Sequence, residues 1–249
     1  MTVAATTTGV YVYGFVRADE LPAVSAEGVG GMPVELIEHG GLAAVASRLP
    51  GEFKVKRRDL NRHLQVLEEA FGETTIVPCP FGTVMASDAD VETALLADRR
   101  GELEDALKRL DGMVQLNVKA VYDEEELLRE LVAGHPEVGR LRESTARLGD
   151  AAYYERVRLG ELVAALVEER RRADADRLTA ALSQASTDIR VDDVAEYEAL
   201  KASFLVRRKD LGRFDAQLED VAPALQPVAR IEVIGPLPPT AFAAQERGA

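Results

Sequence analysis

The sequence predicts an α+β protein of two domains. A mixed α+β domain is expected over residues 1–112, and a modified ferredoxin-like domain with a Pro-rich tail over residues 113–249. Three observations predict it. The chain of 249 residues exceeds one ordinary module, since domains usually run about 100–200 residues. The first half reads strand, hairpin, helix, strand, helix. The second half reads β–α–β–β–α–β, the split β-α-β plan, with a long helical insertion after its first strand.

The elements follow in order. Val10–Val16 (VYVYGFV) is β-branched and aromatic, the composition of a buried strand. Residues 17–32, with Pro22, Gly28, Gly30 and Gly31, read as a loop, mobile at Gly28–Gly31. Pro33–Glu38 and Leu42–Ser47 are short apolar runs. His39-Gly40-Gly41 between them tolerates positive φ, so a hairpin joins them. In Arg57–Phe71, Leu60, Leu64, Leu67 and Phe71 recur at helical spacing and define the expected inward face. Thr75–Met85 is a strand that Pro78 and Pro80 confine to an edge, a bulge or a bend. A helix then starts at Ser87 or Asp88, carries Val91, Leu95, Leu103, Leu107 and Leu110 inward, and ends near Asp111-Gly112.

Met113–Tyr122 alternates apolar Val114, Leu116, Val118 and Ala120 with Gln115, Asn117 and Lys119, the period of a half-covered strand. Asp123 opens an acidic helix start at Glu124–Glu126. Residues 137–185 are helical with a break expected at Gly149-Asp150. Leu159, Leu162, Val163, Leu166 and Val167 form its apolar stripe, and Glu168–Arg177 is expected to project into water. Asp188–Val194 and Ala199–Arg207 are strands, Asp210–Leu225 is a helix, and Val228–Ile234 is the last strand. Gly235–Pro239 is expected to end the sheet.

Composition narrows function. The chain is 47% apolar and 29% charged, with a formal net charge of −13 shared between its halves. Neither half is basic, so a surface for nucleic-acid phosphates has no seat and an anionic bilayer is disfavoured. One cysteine, Cys79, excludes an internal disulfide framework and suits a reducing cytosol. No apolar run approaches the roughly 20 residues of a membrane helix, and Met1–Gly9 lacks the pattern of a secretory signal.

Chemistry-bearing motifs are absent. Leu67 stands where a histidine pair on the first helix would need a second ligand, so His63 reads as a surface residue. His39 and His135 read as loop residues. Cys79, between two prolines, has no assignable base and reads as a buried, inert thiol. The stretch Gly28–Gly31 lacks the Lys-Ser/Thr ending of a phosphate loop. Lys54–Arg58, Arg170–Arg172 and Arg207–Lys209 read as solvated basic patches able to meet an acidic partner. No catalytic residue, metal site or cofactor is expected. The tail through Phe242 reads either as a segment folded back over an edge or as an exposed apolar arm.

Several separated pieces resemble the gas vesicle protein GvpF/GvpL family: VYVYGFV at Val10, RHLQVL at Arg62, VPCPFGTV at Val77, DGMVQLNV at Asp111, YYERVRLGEL at Tyr153, KASFLV at Lys201 and IEVIGPLPPTAF at Ile231. The Pro-x-x-Phe-Gly-Thr-Val and Gly-Pro-x-Pro-Pro stretches are the most specific. The chain departs from the family's usual Pro-Pro-Tyr-Ser-Phe ending at Thr240-Ala241, and Cys79 replaces an aliphatic residue. The resemblance implies two α+β domains, the second a modified ferredoxin-like fold, and no catalytic residues. It also implies a minor vesicle component, cytoplasmic before assembly, that binds the hydrophobic shell protein GvpA and limits its aggregation during nucleation. Other accessory vesicle proteins are further expected partners. The partner surface is expected at the Pro-interrupted strand (Val77, Phe81, Val84) or the tail (Leu237, Pro238, Pro239, Phe242). A structural adaptor acting through the helix around Arg170, or an enzyme on a ferredoxin-like sheet, are the alternatives.

Overall fold

A computed structural model describes residues 7–50, 56–148 and 152–243. The fold is mixed α+β with two sheets, and the chain separates into two compact units. The first comprises Met1–Gln115 together with Pro236–Ala249, the second Leu116–Gly235. The Pro-rich tail, expected with the second half, therefore groups with the first. The reason is specific bonding: the Ala241 N–H donates to Gln115 Oε1 at 2.9 Å, and Arg109 Nη2 donates to the Phe242 carbonyl at 2.8 Å.

In the first unit, β1 (Thr7–Arg17) is the centre of a sheet with β2 (Glu35–His39), β3 (Leu42–Pro50), β4 (Val77–Pro78) and β5 (Val84–Met85). The order is β2-β3-β1-β4, with β5 also on β1. The β2–β3 hairpin turns at Gly40 (φ 60°) and Gly41 (φ 88°), the two-residue loop that the twist of paired strands favours. Helix α1 (Arg57–Glu73) lies on this sheet. Its buried residues are Asp59, His63, Val66, Leu67 and Ala70, while Leu60 and Leu64 are exposed. The inward face is thus rotated from the leucine stripe that hydrophobicity selects. His63 is 3% exposed rather than a surface residue.

The segment after β1 is also held more firmly than a mobile loop. Glu69 accepts from the Ser25 and Ala26 N–H groups, Glu73 from Ala23 N–H, and Val29 is buried in a 3-10 turn at Val29–Gly31. The Ala26 and Ser25 hydrogen bonds hold the Glu69 carboxyl below the usual carboxylate range. After β5, Ser87 caps a single turn, α2 (Asp88–Asp90), which runs into a π-helical stretch at Val91–Ala97. That wider winding buries Leu96 in place of the expected Leu95. Helix α3 (Arg100–Leu110) then buries Leu103, Ala106, Leu107 and Leu110.

The second sheet has the order β7-β8-β6-β9, built from β6 (Met113–Tyr122), β7 (Asp188–Val191), β8 (Glu198–Arg207) and β9 (Ala229–Leu237). Between β6 and β7 come α4 (Glu124–Gly134), α5 (Pro136–Leu148) and α6 (Tyr153–Ser183), and α7 (Leu211–Val221) precedes β9. Asp123 caps α4 by accepting from Glu126 N–H. The break expected at Gly149-Asp150 lies outside the described residues, as do Lys54 and Val55.

Two expectations are overturned here. Strand β9 continues through Gly235 and Pro236 to Leu237, because an edge strand loses nothing by lacking a proline N–H on its open side. Glu168–Arg177 does not simply project into water. Asp174 is fully buried, accepting from Tyr122 Oη at 3.0 Å, Arg170 Nε at 2.6 Å and Arg177 Nη1 at 3.1 Å, and Arg170 also pairs with Glu130. Arg171 reaches back to the Glu196 carbonyl. The Arg170–Arg172 run is therefore partly structural. Among the described residues, no helix is long and apolar enough to cross a membrane.

Candidate functional site

The segment between β4 and β5 closes one side of an apolar groove in the first unit. Pro78 and Pro80 hold it to two short pairings with β1, Phe15↔Val77 and Tyr11↔Val84 among them. Between those pairings, Cys79 N–H donates to the Tyr13 carbonyl at 2.7 Å and Val12 N–H to the Thr83 carbonyl at 3.0 Å. The strand is interrupted yet remains attached. Phe81 stands at the tip of the turn, 39% exposed, with its ring beside those of His63 and Tyr11.

The groove encloses about 440 Å³. Val77, Pro78, Cys79, Pro80 and Phe81 form one wall, and Leu60, His63 and Leu64 of α1 another. Leu103 and Arg99 come from the following helical segment, and Thr240 and Ala243 from the tail. Leu60, Leu64 and Phe81 leave about two-fifths of their area in water, an arrangement that favours a partner able to cover them.

Beneath the groove lies a polar network that fixes its floor. Tyr11 Oη accepts from Gly82 N–H and hydrogen-bonds His63 Nδ1, each at 3.0 Å. Burial pushes His63 down to about 4, and it is neutral at pH 7. Its ring stacks on Tyr13 at 5.7 Å and meets the Phe81 ring edge-on at 5.6 Å. Tyr13 Oη accepts from Val29 N–H at 2.6 Å and bonds Ser47 Oγ at 3.0 Å, which in turn donates to the Pro33 carbonyl. Burial raises both tyrosines. Cys79 is likewise pushed up to about 12 by burial, so its thiol stays protonated and offers no nucleophile at neutral pH.

The expected partner residues fall into three positions. Val77 and Phe81 line the groove. Val84, 44% exposed, lies beside it on β5. The tail residues take supporting places: Pro238 and Pro239 are buried, Leu237 is half-buried, and Phe242 is 1% exposed within a 3-10 turn at Thr240–Phe242. The tail is folded in, and Phe242 is an anchor rather than a free arm. Leu60, Leu64 and Arg99 were not foreseen. Excess apolarity on the first helix was a signal for the leucines; nothing in sequence marks Arg99. Among the described residues, no group of three or more His, Cys, Asp and Glu side chains is placed to hold a metal.

The family described as gas vesicle synthesis protein GvpL/GvpF matches residues 9–244. The chain belongs to the GvpL/GvpF family. Gas vesicle protein F of a Streptomyces species is 35% identical over 237 residues, covering 93% of this chain and 98% of that protein. Gas vesicle protein L of the same organism is 31% identical over 262 residues, covering 94% and 92%. In fold, the chain is similar to crystal structures of GvpF from Anabaena sp. (TM-score 0.82, 23% identity) and from Microcystis aeruginosa (TM-score 0.74, 21% identity). Each comparison covers 96% of this chain and all of the other. The GvpL/GvpF family is one of gas vesicle proteins, not a family of known enzymes.

Proposed function

We propose that this GvpL/GvpF protein binds the hydrophobic shell protein GvpA through the groove beside β4 and limits its aggregation while gas vesicles nucleate. A subunit that must face a gas space carries a broad apolar surface, which aggregates in water before assembly. The observation that supports the reading is the cluster of Leu60, Leu64 and Phe81, left exposed around a groove on a chain of net charge −13. The apolar groove supplies affinity, and the net negative charge of the whole chain keeps the complex dispersed. Val77 forms the groove wall, and Val84 extends the apolar surface along an edge that can accept an added strand. Leu237, Pro238, Pro239 and Phe242 hold the rim formed by Thr240 and Ala243. On this reading the protein is cytoplasmic before assembly and vesicle-bound afterwards, and other accessory vesicle proteins join it there. The adaptor alternative around Arg170 has less to work with, because Arg170 is already paired with Asp174 and Glu130.

Co-expression with the shell protein tests the proposal. The wild-type chain is expected to raise the soluble fraction of GvpA and to be captured with it. Phe81→Asp and Leu64→Asp, both at partly exposed positions, are expected to abolish both effects while circular dichroism stays that of the wild type. Undiminished capture by the double variant would overturn the siting.

A further inference from the structure

Helix α6, in the second unit, carries another apolar surface. Leu159 and Val163 face Leu128 and Val132 of α4 and Val138 of α5 across a cleft of about 460 Å³, so that side of the helix already has partners. Another side is left exposed among the described residues. Tyr153, Val157, Gly160, Ala164 and Val167 recur at spacings of four, three, four and three, the seam of a two-helix coiled coil. Tyr153 is 63% exposed and Val157 43%, Gly160 and Ala164 are exposed, and only Val167 is half-buried.

Gly160 makes the seam more than a chance stripe. It lies two turns inside the helix, where glycine costs about 1 kcal/mol relative to alanine. A Cβ built there meets nothing within 4 Å, so no packing among the described residues calls for its small size. A helix crossing closely at that point would.

We propose that the α6 seam is a self-association surface, on which a second copy of this chain packs antiparallel and crosses near Gly160. Two features select a second copy. In a two-fold pair the residue on the axis meets its own equivalent, so one small residue opens the crossing for both helices. The acidic and basic residues of α6 are also equal in number, although the chain as a whole carries −13. Two such chains repel over most of their surface and meet without net repulsion along this helix. The proposal is independent of the GvpA reading, since it uses no residue of the first unit.

The test uses the full chain in sedimentation velocity over a range of concentrations. Reversible dimerisation is expected, weakened at least tenfold by Val157→Arg, with circular dichroism unchanged and, at concentrations too low for dimer, an unchanged thermal midpoint because the position is exposed. A cross-link locates the axis. Native Cys79 is buried, so Gly160→Cys supplies the accessible thiol and is expected to give a disulfide-linked dimer on mild oxidation. Glu169→Cys, on a different side of α6, is expected to cross-link far more slowly. A chain that stays monomeric at all concentrations overturns the proposal. So does a dimer indifferent to Val157→Arg, or a seam that binds only a helix of another protein.

Discussion

His63 illustrates how one buried side chain ties stability to pH. Folded, its imidazole is held near 4 by burial; unfolded, it returns to about 6.5. Between those values the unfolded chain takes up a proton that the folded chain refuses. The stability associated with neutral His63 is therefore complete above about pH 6.5, falls as the solution is acidified toward pH 4, and changes no further below it. At about 1.4 kcal/mol per pKa unit the loss is a few kcal/mol. Urea unfolding at about pH 7 and pH 5 should show it, and His63→Gln should shrink the difference between the two midpoints. An unchanged difference would mean that His63 titrates normally. Gly28 and Asp174 are two further sensitive positions. A Cβ on Gly28 would collide with Ser47 Oγ and the Tyr13 hydroxyl, so Gly28→Ala should cost about 1–3 kcal/mol in chemical denaturation. Asp174→Ala would leave Arg170 and Arg177 without their buried carboxylate and should cost about 3–5 kcal/mol by the same assay.

At the level of elements, what could be read in advance depended on whether local chemistry decided the outcome. The β2–β3 hairpin was legible because Gly40-Gly41 is one of few dipeptides able to hold two successive positive φ values. For the same reason, Gly41→Ala should lower the thermal midpoint in step with a cost of about 1–2 kcal/mol, whereas an exposed control such as Gly101→Ala, within α3, should not. Helix α1 was legible as a helix but not in its rotation. Leu60 and Leu64 suggested one inward face. The sheet instead takes the face of His63 and Asp59, because Tyr11 supplies the imidazole's partner and Lys56 and Gly30 donate to the carboxylate. Those partners lie up to 52 residues away along the chain and leave no trace in periodicity. The groove shares this limit. Val77 and Phe81 could be named from their proline-bounded segment, but the leucines and Arg99 reach the site only through tertiary packing. Asp174 repeats the lesson, since a charged run conceals a buried member until Tyr122 is known to face it.

For the whole molecule, the order of the chain and the order of its packing differ. Pro236–Ala249 comes last in sequence yet belongs with the unit that Met1–Gln115 begins. Phe242 is its anchor: the ring is buried, its carbonyl accepts from Arg109, and the preceding Ala241 N–H satisfies Gln115, itself 3% exposed. Truncating a buried aromatic to alanine costs about 3–5 kcal/mol, from lost transfer energy and the cavity left behind. Because the units are separate clusters of contacts, that cost should be local. In Phe242→Ala, hydrogen exchange is expected to quicken in α3 and in the strand segment around Gln115, while β7 and β8 of the second unit keep wild-type protection. If all strands lost protection together, the two units would be one cooperative body and the tail would act on both. If none did, the burial of Phe242 would contribute little and the rim of the groove would need another support. With that pattern, the first unit cannot complete its packing until the chain has been made through Phe242.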